Sequence, residues 1–189
     1  MSVLAFDWDG TLLDSRSRHV VVMQDILKKY GIKLDTSDLI EYKRHGKNNL
    51  EYLISKGLSL ELAKKIQHEW IQHIEDGKYL LTDVLYDDAK NTLEEMSKSY
   101  DLILITARNN EEGCRRQIKS FGMDVFFKQI FVVASNKDTA ILKSSILMQN
   151  NAAIFIGDTA SDAKAAKLAG IKFKFHENGF HSKELTESI

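Results

Sequence analysis

Residues 3–11 read Val3-Leu-Ala-Phe-Asp7-Trp-Asp9-Gly10-Thr11. The first four residues of this stretch form an apolar run without polar alternation, which is typical of a strand covered on both faces. Asp7 and Asp9 follow at once, and Gly10 lets the backbone turn sharply away from the strand. Because residues two apart in an extended segment point to the same side, the two carboxylates can act on one ligand.

Four further apolar runs of similar length occur in the second half of the chain. They are Leu102–Thr106, Ile130–Ala134, Ala152–Ile156 and, more weakly, Lys172–Phe175. Amphipathic helical segments lie between them at Glu111–Phe121, Thr139–Met148 and Ser161–Ala169. This alternation predicts an α/β protein with a Rossmann-like parallel sheet flanked by helices.

Residues 15–85 interrupt the alternation, because they contain helical patterns and no convincing strand. The helical segments are Arg16–Tyr30, Ser37–Arg44, Asn49–Lys56 and Ser59–Asp76. We therefore expect a small helical subdomain at 15–85, inserted after the first strand. Residues 1–14 and 86–189 are then expected to form the α/β core.

Composition excludes several classes of function. A chain of 189 residues fits one domain with a modest insert. A net charge of −1 and a pI of about 6.6 give no basic surface for nucleic acid or an anionic membrane. No run approaches the ~20 apolar residues of a membrane span, and the N-terminus lacks the basic segment of a signal peptide. With the single Cys114, which fits a reducing compartment, these features predict a cytoplasmic protein.

Polar residues follow three of the predicted strands, at the edge where parallel sheets bind ligands. They are Asp7 and Asp9 after the first strand, Thr106 and Arg108 on either side of Ala107 at the second, and Asp158 and Asp162 after the fourth. Two carboxylates ~4 Å apart repel by ~4 kcal/mol at an effective dielectric constant of 20. A divalent cation relieves this repulsion, and oxygen ligands favour Mg²⁺. The cluster therefore predicts a magnesium site suited to polarising a phosphoryl group.

The spacing of Asp7 and Asp9 suits two different roles in phosphoryl transfer. The first carboxylate, ionised at neutral pH, can attack phosphorus and form an acyl phosphate. The second can protonate the leaving oxygen and then deprotonate the hydrolytic water.

These segments resemble the motifs of the haloacid dehalogenase superfamily. Residues 7–11 resemble its first motif, DxDGT, and residues 12–15 match the phosphoglycolate phosphatase-like subgroup. Thr106 resembles the phosphate-binding hydroxyl of the second motif, with Ala107 and Arg108 beside it, and residues 157–162 resemble the metal-binding motif GDxxxD. The resemblance implies a C1-type helical cap at 15–85 and metal ligands at Asp7, Asp158, Asp162 and the backbone carbonyl of Asp9.

This sequence departs from the family's pattern at the third motif, which is a lysine often followed by proline. One candidate is Lys137, which precedes Asp138, and the other is Lys143, six residues further on. Aligning the helix at 138–148 with phosphoserine phosphatase-like members favours Lys137 as the phosphate-binding lysine, with Lys143 as the alternative.

In the predicted cap, Arg44, His45 and Lys47 surround Gly46 at a position where the family often reads its substrate. A solvated basic turn explains these residues equally well.

The function predicted by the sequence is a Mg²⁺-dependent phosphatase that hydrolyses a small phosphorylated metabolite through an aspartyl phosphate. A phosphosugar mutase of the same superfamily is the alternative, followed by a non-catalytic, receiver-like phospho-acceptor module.

Overall fold

The computed structural model describes residues 1–188 as an alternation of strands and helices. The strands are β1 (Val3–Phe6), β2 (Leu13–Asp14), β3 (Val84–Leu85), β4 (Asp101–Ala107), β5 (Gln129–Val133), β6 (Ala152–Gly157) and β7 (Lys172–Phe175). The helices are α1 (Arg16–Lys29), α2 (Leu39–Arg44), α3 (Asn49–Ser55), α4 (Leu60–His73), α5 (Gly77–Leu80), α6 (Ala89–Ser97), α7 (Glu111–Ser120), α8 (Thr139–Gln149), α9 (Ala160–Ala169) and α10 (Lys183–Glu187). A single 3₁₀ turn at Asp124–Phe126 precedes β5.

Five strands form a parallel sheet in the order β5-β4-β1-β6-β7. From β1 the chain builds outward through β4 and β5 on one side and returns to add β6 and β7 on the other. Strand order therefore reverses beside β1, which is where open α/β sheets bind their ligands. The prediction of a Rossmann-like α/β sheet flanked by helices is confirmed.

Side chains of the central strand enter two different apolar layers. Leu4 and Phe6 pack in one cluster with residues of α6 and α7, whereas Ala5 packs in another with residues of α8 and α9. Both faces of the sheet are covered, which explains why its strands are continuous apolar runs.

The chain divides into two compact units, one made of Met1–Asp14 and Val84–Ile189 and the other of Ser15–Asp83. The sequence-based boundary lay after residue 85, two residues too late. Val84 and Leu85 belong to the first unit because they form β3, which pairs antiparallel with β2. So short a pair of strands has no periodic signal in the sequence.

The second unit is helical throughout, with a core of its own. Its buried apolar residues are Val22, Met23, Ile26, Leu27, Leu39, Tyr52, Leu53, Ala63, Ile66 and Tyr79. A buried ion pair joins Arg18 Nε to Asp83 Oδ1 at 3.3 Å, close to the two ends of this unit. The role of this helical unit as a cap remains a prediction.

Within residues 1–188, no helix combines the length and the hydropathy needed to cross a membrane.

Candidate active site

Two adjacent strands bring the first pair of carboxylates together. Asp7 directly follows β1, and its backbone N–H still donates to the carbonyl oxygen of Ile156 in β6 at 2.9 Å. Asp158 directly follows β6, and both aspartates are buried. The sheet register therefore fixes where these two side chains begin.

A third carboxylate comes from the first turn of α9. Thr159 caps this helix, and its side chain accepts from the backbone N–H of Asp162. Asp162 Oδ2 in turn accepts from the backbone N–H of Thr159 at 3.1 Å and from its hydroxyl at 2.5 Å. This capping box holds the buried Asp162 in one orientation and stabilises the start of the helix.

Lys143 of α8 joins two of these carboxylates. Its Nζ donates to Asp7 Oδ1 at 2.9 Å and to Asp162 Oδ1 at 2.7 Å, and all three side chains are buried. Lys137, which the sequence favoured, is exposed and lies just before Asp138, the N-cap residue of α8. Lys143, and not Lys137, therefore brings its ammonium to the cluster, because Lys143 lies on the buried face of α8. The preference for Lys137 was wrong on this point.

Asp7, Asp158 and Asp162 each offer one oxygen atom, and these atoms lie within 4.8 Å of one another. Three carboxylates and one ammonium leave two negative charges uncompensated in a buried site. A divalent cation matches that charge, and carboxylate oxygens are the ligands that hard cations prefer. The donor set therefore fits a metal such as Mg²⁺.

Burial and mutual repulsion shift the pKa values of this cluster. Desolvation raises the pKa of Asp7 from 3.8 to about 7, although the charge of Lys143 opposes the shift. Desolvation and the charges of Asp162 and Asp7 raise the pKa of Asp158 well above its ordinary value. Burial lowers the pKa of Lys143, but the two carboxylates that it contacts outweigh burial and leave the pKa raised. Without a cation, the cluster is thus short of positive charge.

Asp158 is closely surrounded by residues of two segments, of which the sequence indicated only one. Its Oδ2 accepts from the backbone N–H of Phe180 at 2.6 Å, and its Oδ1 accepts from the hydroxyl of Thr11 at 3.3 Å. A Cβ atom on Gly10 or on Gly179 would lie 2.2 Å from an atom of this aspartate, and Gly10 also has a φ of +80°. The glycine in the first motif was a signal for close approach, whereas residues 179–180 follow the last strand and carried no signal.

Asp9 makes a different contact from the other aspartates. Its two carboxylate oxygens accept from Arg108, Oδ2 from Nε at 2.6 Å and Oδ1 from Nη2 at 2.8 Å. The sequence suggested that Arg108 binds phosphate, but the structure directs its guanidinium to Asp9. Gln117 of α7 accepts from the same Nη2 at 3.2 Å.

The remaining predicted phosphate-binding residues lie at the end of β4. Thr106 is buried and pairs with Val132 of β5, and Ala107, the last residue of the strand, is half-buried. Asn110 caps the following helix α7 by accepting from the backbone N–H of Gly113.

Arg44 is the last residue of α2, His45 and Lys47 lie between α2 and α3 in the second unit, and all three pair with acidic neighbours. Arg44 Nε and His45 Nε2 lie 3.7 and 3.3 Å from carboxylate oxygens of Glu41, and Lys47 Nζ lies 3.6 Å from Glu51. These are short-range pairs on a surface, which contribute little to stability. Their predicted role in reading a substrate remains a prediction.

Comparison with known proteins identifies the class to which this fold and site belong. The model of the haloacid dehalogenase-like hydrolase family matches residues 4–175, and the chain belongs to that family. It is accordingly classed as an enzyme, a hydrolase of the haloacid dehalogenase-like family.

Two curated relatives and one solved structure illustrate the likeness. A phosphoglycolate phosphatase from Aliivibrio fischeri is 27% identical over 188 residues, covering 90% of this chain and 81% of the relative. A phosphoglycolate phosphatase from Aquifex aeolicus is 24% identical over 179 residues, covering 91% and 83%. The structure of a haloacid dehalogenase-like family hydrolase from Streptococcus pneumoniae matches with a TM-score of 0.78 at 22% identity, covering 100% of this chain and 90% of that one. The last comparison bears on the fold alone.

Proposed function

We propose that this protein is a Mg²⁺-dependent phosphatase that hydrolyses a small phosphorylated metabolite through an aspartyl phosphate on Asp7. The observation that carries the proposal is the buried cluster of Asp7, Asp158 and Asp162 around the Lys143 ammonium. A second carboxylate, that of Asp9, lies two residues beyond Asp7.

In this proposal, Asp7 and Asp158 hold the cation by their side chains, and Asp9 contributes its backbone carbonyl. Asp162 already accepts hydrogen bonds on both oxygens, so it holds Lys143 in place and supports the cation indirectly. When bound, Mg²⁺ supplies positive charge that keeps the Asp7 carboxylate ionised and polarises the phosphoryl group.

The chain's own residues then divide the reaction into two displacements. One oxygen of Asp7 attacks phosphorus and forms an acyl phosphate, while the P–O bond to the alcohol breaks and Asp9 gives its proton to the leaving oxygen. In the second displacement, Asp9 takes a proton from water, the water oxygen attacks phosphorus, and the bond to Asp7 breaks. Lys143 and the hydroxyl of Thr106 are proposed to bind the phosphoryl oxygens.

We further propose that residues 15–83 act as the cap that excludes water and selects the substrate. The two curated relatives are named phosphoglycolate phosphatases, so phosphoglycolate is the first substrate to test. The near-neutral charge of the chain favours a small metabolite over nucleic acid as its partner, and the single cysteine supports a cytoplasmic location.

The test is release of inorganic phosphate from a panel of phosphorylated acids, sugars and nucleotides, with Mg²⁺ and with EDTA. We expect release from at least one small ester, loss of activity in EDTA, and an acid-stable, hydroxylamine-sensitive phosphoprotein that Asp7→Asn abolishes. Asp101→Asn is the matched control, because Asp101 pairs with Lys128 at 2.8 Å at the opposite end of the sheet. Activity that persists after exhaustive chelation, or in Asp7→Asn, would overturn the proposal. Transfer of phosphate to a second sugar hydroxyl instead of water would identify the mutase.

A further inference from the structure

The Arg108 guanidinium is fixed before it meets any ligand. Its backbone N–H donates to the carbonyl oxygen of Val133 at 3.0 Å, so Arg108 extends the pairing of β4 and β5 by one residue. Its side chain is only 4% exposed. A long cationic side chain so completely buried is rare unless its charge is paired.

The pairing partner is the carboxylate of Asp9, held in a bidentate arrangement. Both oxygens of Asp9 accept from one planar guanidinium, at 2.6 and 2.8 Å. Such a two-point contact fixes the direction of the carboxylate plane as well as its position. Each carboxylate oxygen has a second acceptor site, so the contact does not prevent Asp9 from meeting a hydroxyl or a water molecule.

A second layer of hydrogen bonds holds the guanidinium in turn. Gln117 Oε1 accepts from Arg108 Nη2 at 3.2 Å and from the indole Nε1 of Trp8 at 3.4 Å. Trp8 is fully buried and lies between Asp7 and Asp9 in the sequence. Gln117 thus holds both the side chain of Trp8, which lies between the two aspartates in the sequence, and the guanidinium of Arg108, which orients Asp9.

This geometry disfavours phosphate binding as the main role of Arg108. Two of its three guanidinium nitrogens, Nε and Nη2, already donate to Asp9 and Gln117, and the fork that suits a phosphate faces a carboxylate instead. We propose that Arg108 is a positioning residue that acts through Asp9, holding its carboxylate where it meets the leaving oxygen and the hydrolytic water, with Gln117 as its support. The inference rests on the proposed function, because it assigns a partner to the proposed acid/base.

The effect of losing this contact depends on the leaving group. A misplaced Asp9 slows departure of an alkoxide, which must be protonated, and hardly affects departure of p-nitrophenolate, which needs no proton. A positioned acid contributes ~10²–10⁴-fold, and a shift of ~1 Å can cost ~10²-fold. We therefore expect Arg108→Met to lower kcat/KM for an alkyl phosphate by about 10- to 100-fold and for p-nitrophenyl phosphate by no more than about threefold. The ratio kcat/KM is the right quantity, because it reports formation of the phosphoenzyme and not its hydrolysis.

The experiment measures both substrates with the wild type, Asp9→Asn, Arg108→Met, Arg108→Lys, Gln117→Leu and the double variant Asp9→Asn/Arg108→Met. If Arg108 acts through Asp9, its replacement adds less than about twofold in the Asp9→Asn background, as expected for residues that act as a unit. Arg108→Lys keeps the charge without the fork and should fall between wild type and Arg108→Met. Gln117→Leu leaves the charged pair intact and should give a smaller loss with the same dependence on the leaving group.

Three results with Arg108→Met would overturn the inference. An equal loss on both substrates, together with weaker inhibition by inorganic phosphate, would assign Arg108 to phosphate binding. A further tenfold loss in the Asp9→Asn background would show that the two residues act independently. A faster enzyme after Arg108→Met would mean that the pair restrains Asp9 and must break during turnover.

Failure of the proposed function gives a different result, because the wild type would then release no phosphate from any ester. If Arg108→Met does not fold, Gln117→Leu and Arg108→Lys decide the question by the ratio of kcat/KM for the two substrates. A ratio unchanged from wild type in both variants overturns the inference.

Discussion

Replacing Asp7 by asparagine should stabilise the metal-free protein at alkaline pH, although on the proposed mechanism the same change should abolish catalysis. The Asp7 carboxylate is buried, and desolvation raises its pKa from 3.8 to about 7. That value already includes the opposing attraction of Lys143, so the ionised form is disfavoured on balance. Asparagine has nearly the same shape, stays neutral at every pH, and keeps an oxygen that can accept from Lys143.

The direction of the pH dependence follows from the sign of the shift. A carboxyl group whose pKa is raised on folding holds its proton more tightly in the folded state than in the unfolded state. It contributes stability that is fully present below pH 3.8 and is lost as the pH rises toward 7. The difference between 3.8 and about 7, at about 1.4 kcal/mol per pKa unit, corresponds to a few kcal/mol.

The assay is urea unfolding of the wild type and of Asp7→Asn in EDTA, at pH 5 and at pH 8. The free energy of unfolding of the variant should exceed that of the wild type by a few kcal/mol at pH 8 and by clearly less at pH 5. Adding Mg²⁺ at pH 8 should stabilise the wild type and not the variant, because binding of a cation to the folded state adds to its stability.

Asp101→Asn provides the control of opposite sign. The hydrogen bond from Lys128 lowers the pKa of Asp101, so this carboxylate contributes stability above its ordinary pKa and loses it as the pH falls. The control should therefore be destabilised at pH 8. An Asp7→Asn variant that is no more stable than the wild type at pH 8, or equally affected at pH 5 and pH 8, would show that the buried Asp7 carboxylate does not destabilise the metal-free protein.

Substitutions at three places test the site and the cap. Lys143→Met should lower kcat by about 10²-fold or more, because it removes the ammonium that contacts Asp7, whereas Lys137→Met should stay within about twofold of wild type. Gly179→Ala should weaken Mg²⁺ binding and lower the activity, each by about tenfold or more. The reason is that the added Cβ would lie 2.2 Å from the side chain of Asp158, a proposed metal ligand. Arg44→Ala or Lys47→Ala should raise KM for the natural substrate about tenfold and leave p-nitrophenyl phosphate hydrolysis nearly unchanged, since one charge-assisted contact contributes ~1.5–3 kcal/mol.

Each of these has a measurement that would contradict it. Equal losses in Lys143→Met and Lys137→Met would remove the basis for choosing between the lysines. Gly77→Ala is the control for the glycine change, because a Cβ at Gly77 meets nothing within 4 Å. Equal activity of the two glycine variants would show that the space around Asp158 accommodates an additional methyl group. Losses on both substrates in the Arg44 and Lys47 variants, or on neither, would show that this turn does not read the substrate.

The sequence predicted the sheet well because its strands are short apolar runs that end in polar motifs. Asp7 and Asp158 come together through strand order alone, so no side-chain detail was needed to expect the pair. The contact between Arg108 and Asp9 was not predictable in the same way. Whether a guanidinium turns toward a phosphate or a carboxylate depends on rotamers and on support from Gln117, nine residues further on, and neither leaves a pattern in the sequence.

The mistake over the lysine has a more general cause. Lys137 was preferred by aligning the helix at 138–148 with that of phosphoserine phosphatase-like members, but it lies in the exposed segment before α8, where a lysine is solvated and gives no evidence of a functional role. Within α8, the buried residues Ala140, Lys143, Ser144 and Leu147 repeat at the spacing of one helical face. A lysine on such a face must find a negative partner or lose its charge, and it is almost never buried otherwise. The helical periodicity was therefore the better evidence for Lys143. An ammonium on the buried face of a helix that packs beside the acidic edge of a sheet is expected to pair with those carboxylates.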